Sequence, residues 1–62
     1  MTDDELNTLK LSYEERWARW NGRIVVIEKI FRGRGINNDI PRAKVMDDSK
    51  VRYLNFYEIA PF

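Results

Sequence analysis

The hydrophobic period of this chain changes at a single dipeptide, Asn21-Gly22. Before it, Leu6, Leu9, Tyr13, Trp17 and Trp20 recur at spacings of 3, 4, 4 and 3. On a helical wheel of about 100° per residue they share an arc of roughly 80°, the apolar stripe of an amphipathic helix. Leu11 and Ala18 lie off that stripe. After the dipeptide, "RIVVIEKIF" (23–31) is dense in β-branched residues and predicts a strand buried for much of its length. A helix followed by strands is therefore the expected order of elements, which is an α+β fold.

The ends of the first segment carry matching signals. Thr2-Asp3-Asp4-Glu5 fits a capping box, with Thr at the N-cap and Glu three residues on, and acids in the first turn suit the helix dipole. Arg16 and Arg19 stand where cations suit a helix end, and Asn21-Gly22 offers a left-handed stop. A helix from about 3 to 20 is predicted. Ser12-Tyr13-Glu14-Glu15 is a second capping box, so a shorter helix from Ser12, with "TLKL" extended before it, is the alternative.

Beyond residue 31, "RGRGINNDIP" (32–41) reads as a loop, its Gly residues supplying positive φ. "RAKVMD" (42–47) is a short strand with Ala43 and Val45 on one face and Lys44 and Met46 on the other. "DDS" (47–49) is a tight turn, and "KVRYLNFYEI" (50–59) a long strand with Val51, Tyr53, Asn55 and Tyr57 opposite Arg52, Leu54 and Phe56. Neither face of that strand is clearly polar. An isolated antiparallel sheet of three or more strands needs a cover, and the helix stripe is the expected one.

Size sets the next constraint. A chain of 62 residues buries only about 60% of its unfolded surface, so its stability is marginal without help. Cys and His are both absent, which excludes disulfides, thiolate metal sites and the commonest zinc ligand and general base. Apolar residues at 44% still support a core, and we expect one small domain over residues 1–62, complete in itself and stabilised by good packing or by a partner. The longest wholly apolar run, "IVVI", is far short of the roughly 18 residues a membrane span needs. The acidic start "MTDDELN" is unlike a secretory signal, so a cytoplasmic location without membrane contact is expected.

Catalysis finds little support. Three pairs of acids occur, Asp3-Asp4, Glu14-Glu15 and Asp47-Asp48, but as sequence neighbours on a helix start, a helix flank and a turn. Capping, solvation and turn chemistry account for them. No metal site, cofactor site or catalytic residue is predicted, and the chain is not expected to be an enzyme.

Charge is the stronger lead. The net charge of +1 conceals −4 over residues 1–15, +6 over 16–44 and −1 over 45–62. Such a basic block marks an anionic partner, unless the blocks neutralise each other across the fold. The candidate binding residues are Arg16, Arg19, Arg23, Arg32, Arg34, Arg42 and Lys44, with Arg52 beside an aromatic strand. Their role would be phosphate contact rather than base reading. "RGRG" (32–35) fits neither the Walker pattern nor the dinucleotide fingerprint. The candidate core or interface aromatics are Tyr13, Trp17 and Trp20 on the helix and Tyr53, Phe56 and Tyr57 on the last long strand.

Residues 22–62 resemble a Tudor- or KOW-type small β-barrel. The resemblance lies in "GRIVVIEKIF", the Gly/Asn loop, and "IPRAKVMDDSKVRYLNFYEIAPF", whose end resembles a fourth strand running into a 3₁₀ turn and a last strand. It implies a binding module for RNA, DNA, polymerase or ribosomal proteins, or modified peptides, and it does not cover the N-terminal helix. Two functions follow as expectations. The first is a module that engages nucleic acid or a nucleoprotein machine through the basic block. The second is a protein–protein subunit or inhibitor, such as a phage or mobile-element accessory protein, docking through its aromatics or forming a homo-oligomer.

Overall fold

The computed structural model describes residues 2–33 and 40–62. Helix α1 spans Asp3–Tyr13; strands β1 to β5 span Arg16–Trp20, Arg23–Phe31, Arg42–Asp47, Lys50–Asn55 and Ala60–Pro61, with a 3₁₀ turn at Phe56–Glu58 between the last two. All pairings are antiparallel, and the strand order is β4-β3-β2-β1-β5. One helix packed on a five-stranded sheet is the α+β architecture expected from the pattern.

The capping box forms as read: the Thr2 side chain accepts from the Glu5 N–H, and the Glu5 carboxylate accepts from the Thr2 N–H. The helix is shorter than the stripe predicted, and neither of the two sequence readings placed its end. Glu14 is already extended (φ −64°, ψ 140°), and Glu15 takes a left-handed φ of 63°. Two bonds from β2 hold this break in place. The Glu15 N–H donates to the Ile27 carbonyl at 2.7 Å, and the Ile30 N–H donates to the Glu14 carboxylate at 2.8 Å. That donor lies just beyond a register irregularity between Ile27 and Lys29, where strand pairing is interrupted.

Asn21-Gly22 is therefore a hairpin turn and not a helix stop. Both residues have positive φ (52° and 75°), the type I′ geometry, and Trp20 pairs with Arg23 across it. A second turn of the same kind, Asp48-Ser49 (50° and 72°), joins β3 to β4 and brings Asp47 opposite Lys50. Gly33 is buried, and Gly35 lies outside the described residues with the rest of 34–39, where most of the expected loop falls.

The last long strand is also shorter than predicted. It ends at Asn55, whose side chain accepts from the Tyr57 N–H, while the Phe56 N–H bonds to the Pro41 carbonyl. Tyr57 and Phe56 consequently stand on the 3₁₀ turn rather than on the strand with Tyr53. The path of strand, tight turn, strand, 3₁₀ turn and last strand is the one the resemblance implied. The closed barrel is not: β4 and β5 form opposite edges of an open sheet.

The core lies on one face of this sheet. Ala18, Val25, Ile27, Ile30, Ala43 and Val45 point into it, closed from below by Phe56 and Ile59. Helix α1 covers this inner face with Leu6, Leu9 and Tyr13, and the Tyr13 ring meets Phe56 at 5.2 Å. The helix buries no residue completely. No described helix is long and apolar enough to cross a membrane.

Candidate binding surface on the outer sheet face

Side chains alternate along a strand, so the register fixes both faces. Residues of β1 that flank buried Ala18 point away from the core; these are Trp17 and Arg19. Opposite them on β2 stand Val26 and Ile24. Val26 pairs with Met46, and Met46 with Val51. At the other edge the Phe62 N–H donates to the Trp17 carbonyl, and the Arg19 guanidinium lies 5.2 Å from the Phe62 ring. An apolar row, Phe62–Trp17–Val26–Met46–Val51, thus crosses the outer face from edge to edge. Trp17 is 62% exposed and Phe62 67%.

The next row is basic and aromatic. Lys29 pairs with Lys44, and Lys44 with Tyr53. Beyond it Phe31 pairs with Arg42, which donates to the Tyr53 carbonyl at 3.1 Å, and the Phe31 and Tyr53 rings meet edge to face at 6.1 Å. Glu28 also reaches this side, with Oε1 3.8 Å from Lys44 Nζ; that oxygen is buried and has no hydrogen-bond partner. Glu28, Lys29 and Lys44 line a shallow hollow of about 360 Å³ with Val26 and Glu15.

The two tryptophans of "WARWNGR" are consequently separated. Trp17 faces out, while Trp20 faces in and packs against the core. The guanidinium carbons of Arg23 and Arg52 lie 5.3 and 5.2 Å from the Trp20 ring. Both groups also bond the Asp47 carboxylate at 2.9 Å. Asp47 is only 2% exposed, so this carboxylate is compensated by two partly exposed cations stacked on one aromatic ring.

The basic block divides accordingly. Arg23 and Arg52 belong to the Asp47 cluster. Arg32 forms an ion pair with Asp3 at the helix start, joining the basic block to the acidic one. Arg16 is exposed at the start of β1, on the inner-face side opposite Ile27. Arg34 lies outside the described residues. Arg19, Arg42 and Lys44 share the outer face. Of the candidate aromatics, Tyr13 and Phe56 are core, Trp20 is half-buried, Tyr57 is exposed on the 3₁₀ turn, and Trp17 and Tyr53 stand on the outer face.

Sequence reading missed the contribution of Ile24, Val26, Lys29, Phe31, Met46, Val51 and Phe62 to this surface. The available signal was parity: two positive-φ hairpin turns fix the register, and register assigns every second residue outward. It also missed the role of Asp47, which it placed where the strand 42–47 meets the turn 47–49 without seeing that it would be buried between two arginines.

The carboxylate pairs have structural roles. Asp3 and Asp4 begin the helix, Glu14 receives the Ile30 N–H, Asp47 is clamped and Asp48 turns the hairpin. Among the described residues no group of three or more acids is placed to hold a metal ion. No protein-family model, curated protein or solved structure matches this chain.

Proposed function

We propose that this chain is a small non-enzymatic binding module that holds nucleic acid, or the nucleic acid of a nucleoprotein complex, against the outer face of its sheet. One observation carries the proposal. Arg19, Lys29, Arg42 and Lys44 share that face with exposed Trp17, Tyr53 and Phe62, against the acids Glu28 and, at the margin of the same hollow, Glu15. Cations supply sequence-independent attraction to phosphates, and aromatic faces supply contact that charge alone does not. Arg23 and Arg52 are structural in this scheme, since both clamp the buried Asp47 carboxylate at 2.9 Å, and Arg32 is paired with Asp3 at the helix start; Lys44 meets Glu28 only at 3.8 Å. The chain path through the 3₁₀ turn supports a Tudor- or KOW-like relationship, with an open sheet in place of the barrel. A cytoplasmic setting follows from such a role.

Four cations neutralising phosphates on one strand give a slope of log K against log salt of about −3. Anisotropy of a labelled oligonucleotide across a salt series tests this. Affinity that falls with that slope supports the proposal, and absence of binding at low salt refutes it.

A second reading, a protein partner or homo-oligomer, is favoured by the apolar row Phe62–Trp17–Val26–Met46–Val51. Rows of this kind are normally covered in a stable assembly. Sedimentation as a concentration-dependent dimer, with no oligonucleotide binding, would support it over the first.

A further inference from the structure

Resting on the nucleic-acid reading of the same face, we infer that its occupant is an unpaired strand laid across the β-strands, with a base stacked on Trp17. Trp17, Phe62 and Tyr53 all stand more than half exposed, although a domain this small has few large apolar groups to leave in water. A duplex conceals the faces of its bases. It would meet the lysines and arginines but leave Trp17 and Phe62 solvated. Unpaired bases present their faces, and each aromatic stack contributes roughly 5- to 150-fold in affinity.

The placement of the charges gives the direction. Phe62 and Trp17 lie toward one edge of the sheet with Arg19 beside them; Tyr53 stands on the opposite edge strand β4, where Arg42 of β3 and the Phe31 ring, from the end of the central strand β2, meet it. Lys29 and Lys44 stand between, on β2 and β3, next to the apolar floor of Val26 and Met46. Trp17 and Tyr53 are three strand spacings apart across the sheet, about 14 Å at roughly 4.8 Å each, and one row apart along it. A strand crossing obliquely from the Trp17 row to the Tyr53 row has an aromatic platform near each end and two ammonium groups along its path. The site is accordingly short, near the low end of the roughly 4–16 nucleotides bound by comparable sheet surfaces. Glu28 disfavours phosphate immediately beside it, and Lys44 partly offsets its charge.

The experiment uses the full chain, a fluorescein-labelled 15-mer of deoxythymidine, and a hairpin duplex carrying the same number of phosphates. At one low salt concentration the single strand should bind at least tenfold tighter than the duplex. Trp17→Ala should weaken the single strand about tenfold or more and leave duplex binding within twofold, while Trp17→Phe should retain most of the affinity. In Trp20→Phe, where Trp17 is the sole tryptophan, the single strand should quench emission. The wild-type anisotropy comparison stands if that variant does not fold. Equal affinity for both forms, insensitive to Trp17→Ala, overturns this inference and leaves the nucleic-acid reading in place. No binding of either form, or self-association that shields Trp17, overturns both.

Discussion

Trp17 and Trp20, three residues apart, lie on opposite faces of the same strand. In a helix that spacing would place them side by side; in β1 it sends Trp17 into solvent and Trp20 against the core between two arginines. Substitutions at the two positions should therefore have different effects. Trp20→Ala removes core packing and both cation–π contacts, and should cost about 2–4 kcal/mol in urea unfolding. Trp17→Ala should change stability by no more than about 0.5 kcal/mol.

Asp47 is the second test of the inner face. Asp47→Ala leaves the Arg23 and Arg52 guanidiniums facing each other over Trp20 with no carboxylate between them. Both arginines keep part of their exposure, which reduces the penalty below that of a fully buried pair, to about 1–3 kcal/mol. Asp47→Asn keeps an acceptor and the shape, and should lose less. Chemical denaturation of the two variants measures the difference.

Glu14 terminates the helix and satisfies β2 at once. Glu14→Ala strands the partly buried Ile30 N–H and should destabilise by about 1–3 kcal/mol. Glu14→Gln still offers a carbonyl oxygen to that N–H and should recover most of the loss. Faster amide exchange at Ile30 in the alanine variant alone would confirm the assignment.

The two hairpin turns differ in how well their residues suit a left-handed backbone. Gly22, at φ 75°, has open space around the position of a Cβ, so Gly22→Ala should cost about 1 kcal/mol from the backbone alone. Asp48-Ser49 occupies the same conformation without glycine. Replacing it with Asn-Gly should raise stability by about 0.5–1 kcal/mol. A thermal melt of each variant settles the direction.

The errors of sequence reading share a cause with these turns. Residues 23–31 and 42–47 were legible because β-branched content and strict alternation are local signals, as was the capping box at Thr2. "RWARW" was not, because five residues with tryptophans at i and i+3 fit a helical stripe as well as they fit a strand. What decides is distant: pairing of β1 with both β2 and β5, and a Glu15 N–H that finds its acceptor at Ile27. Asn21-Gly22 is compatible with a helix stop and with a hairpin, and only that pairing separates the two. The basic block was visible as composition. Its division into ion-paired and outward-facing members was not, since it depends on register and on the irregularity between Ile27 and Lys29. Asn55 ended the last long strand through a side-chain bond that alternation does not reveal.

The outer sheet face is the centre of the functional proposal, and amide chemical-shift mapping tests it most directly. The labelled full-length chain is titrated at low salt with a deoxythymidine 15-mer. The expected result is a set of perturbations concentrated on Trp17, Arg19, Ile24, Val26, Lys29, Lys44, Met46, Val51 and Tyr53, together with the Trp17 indole N–H, while the exposed side of α1 around Leu11 is unmoved. An unchanged spectrum, or shifts confined to the helix and to Arg23, Arg32 and Arg52, would contradict it.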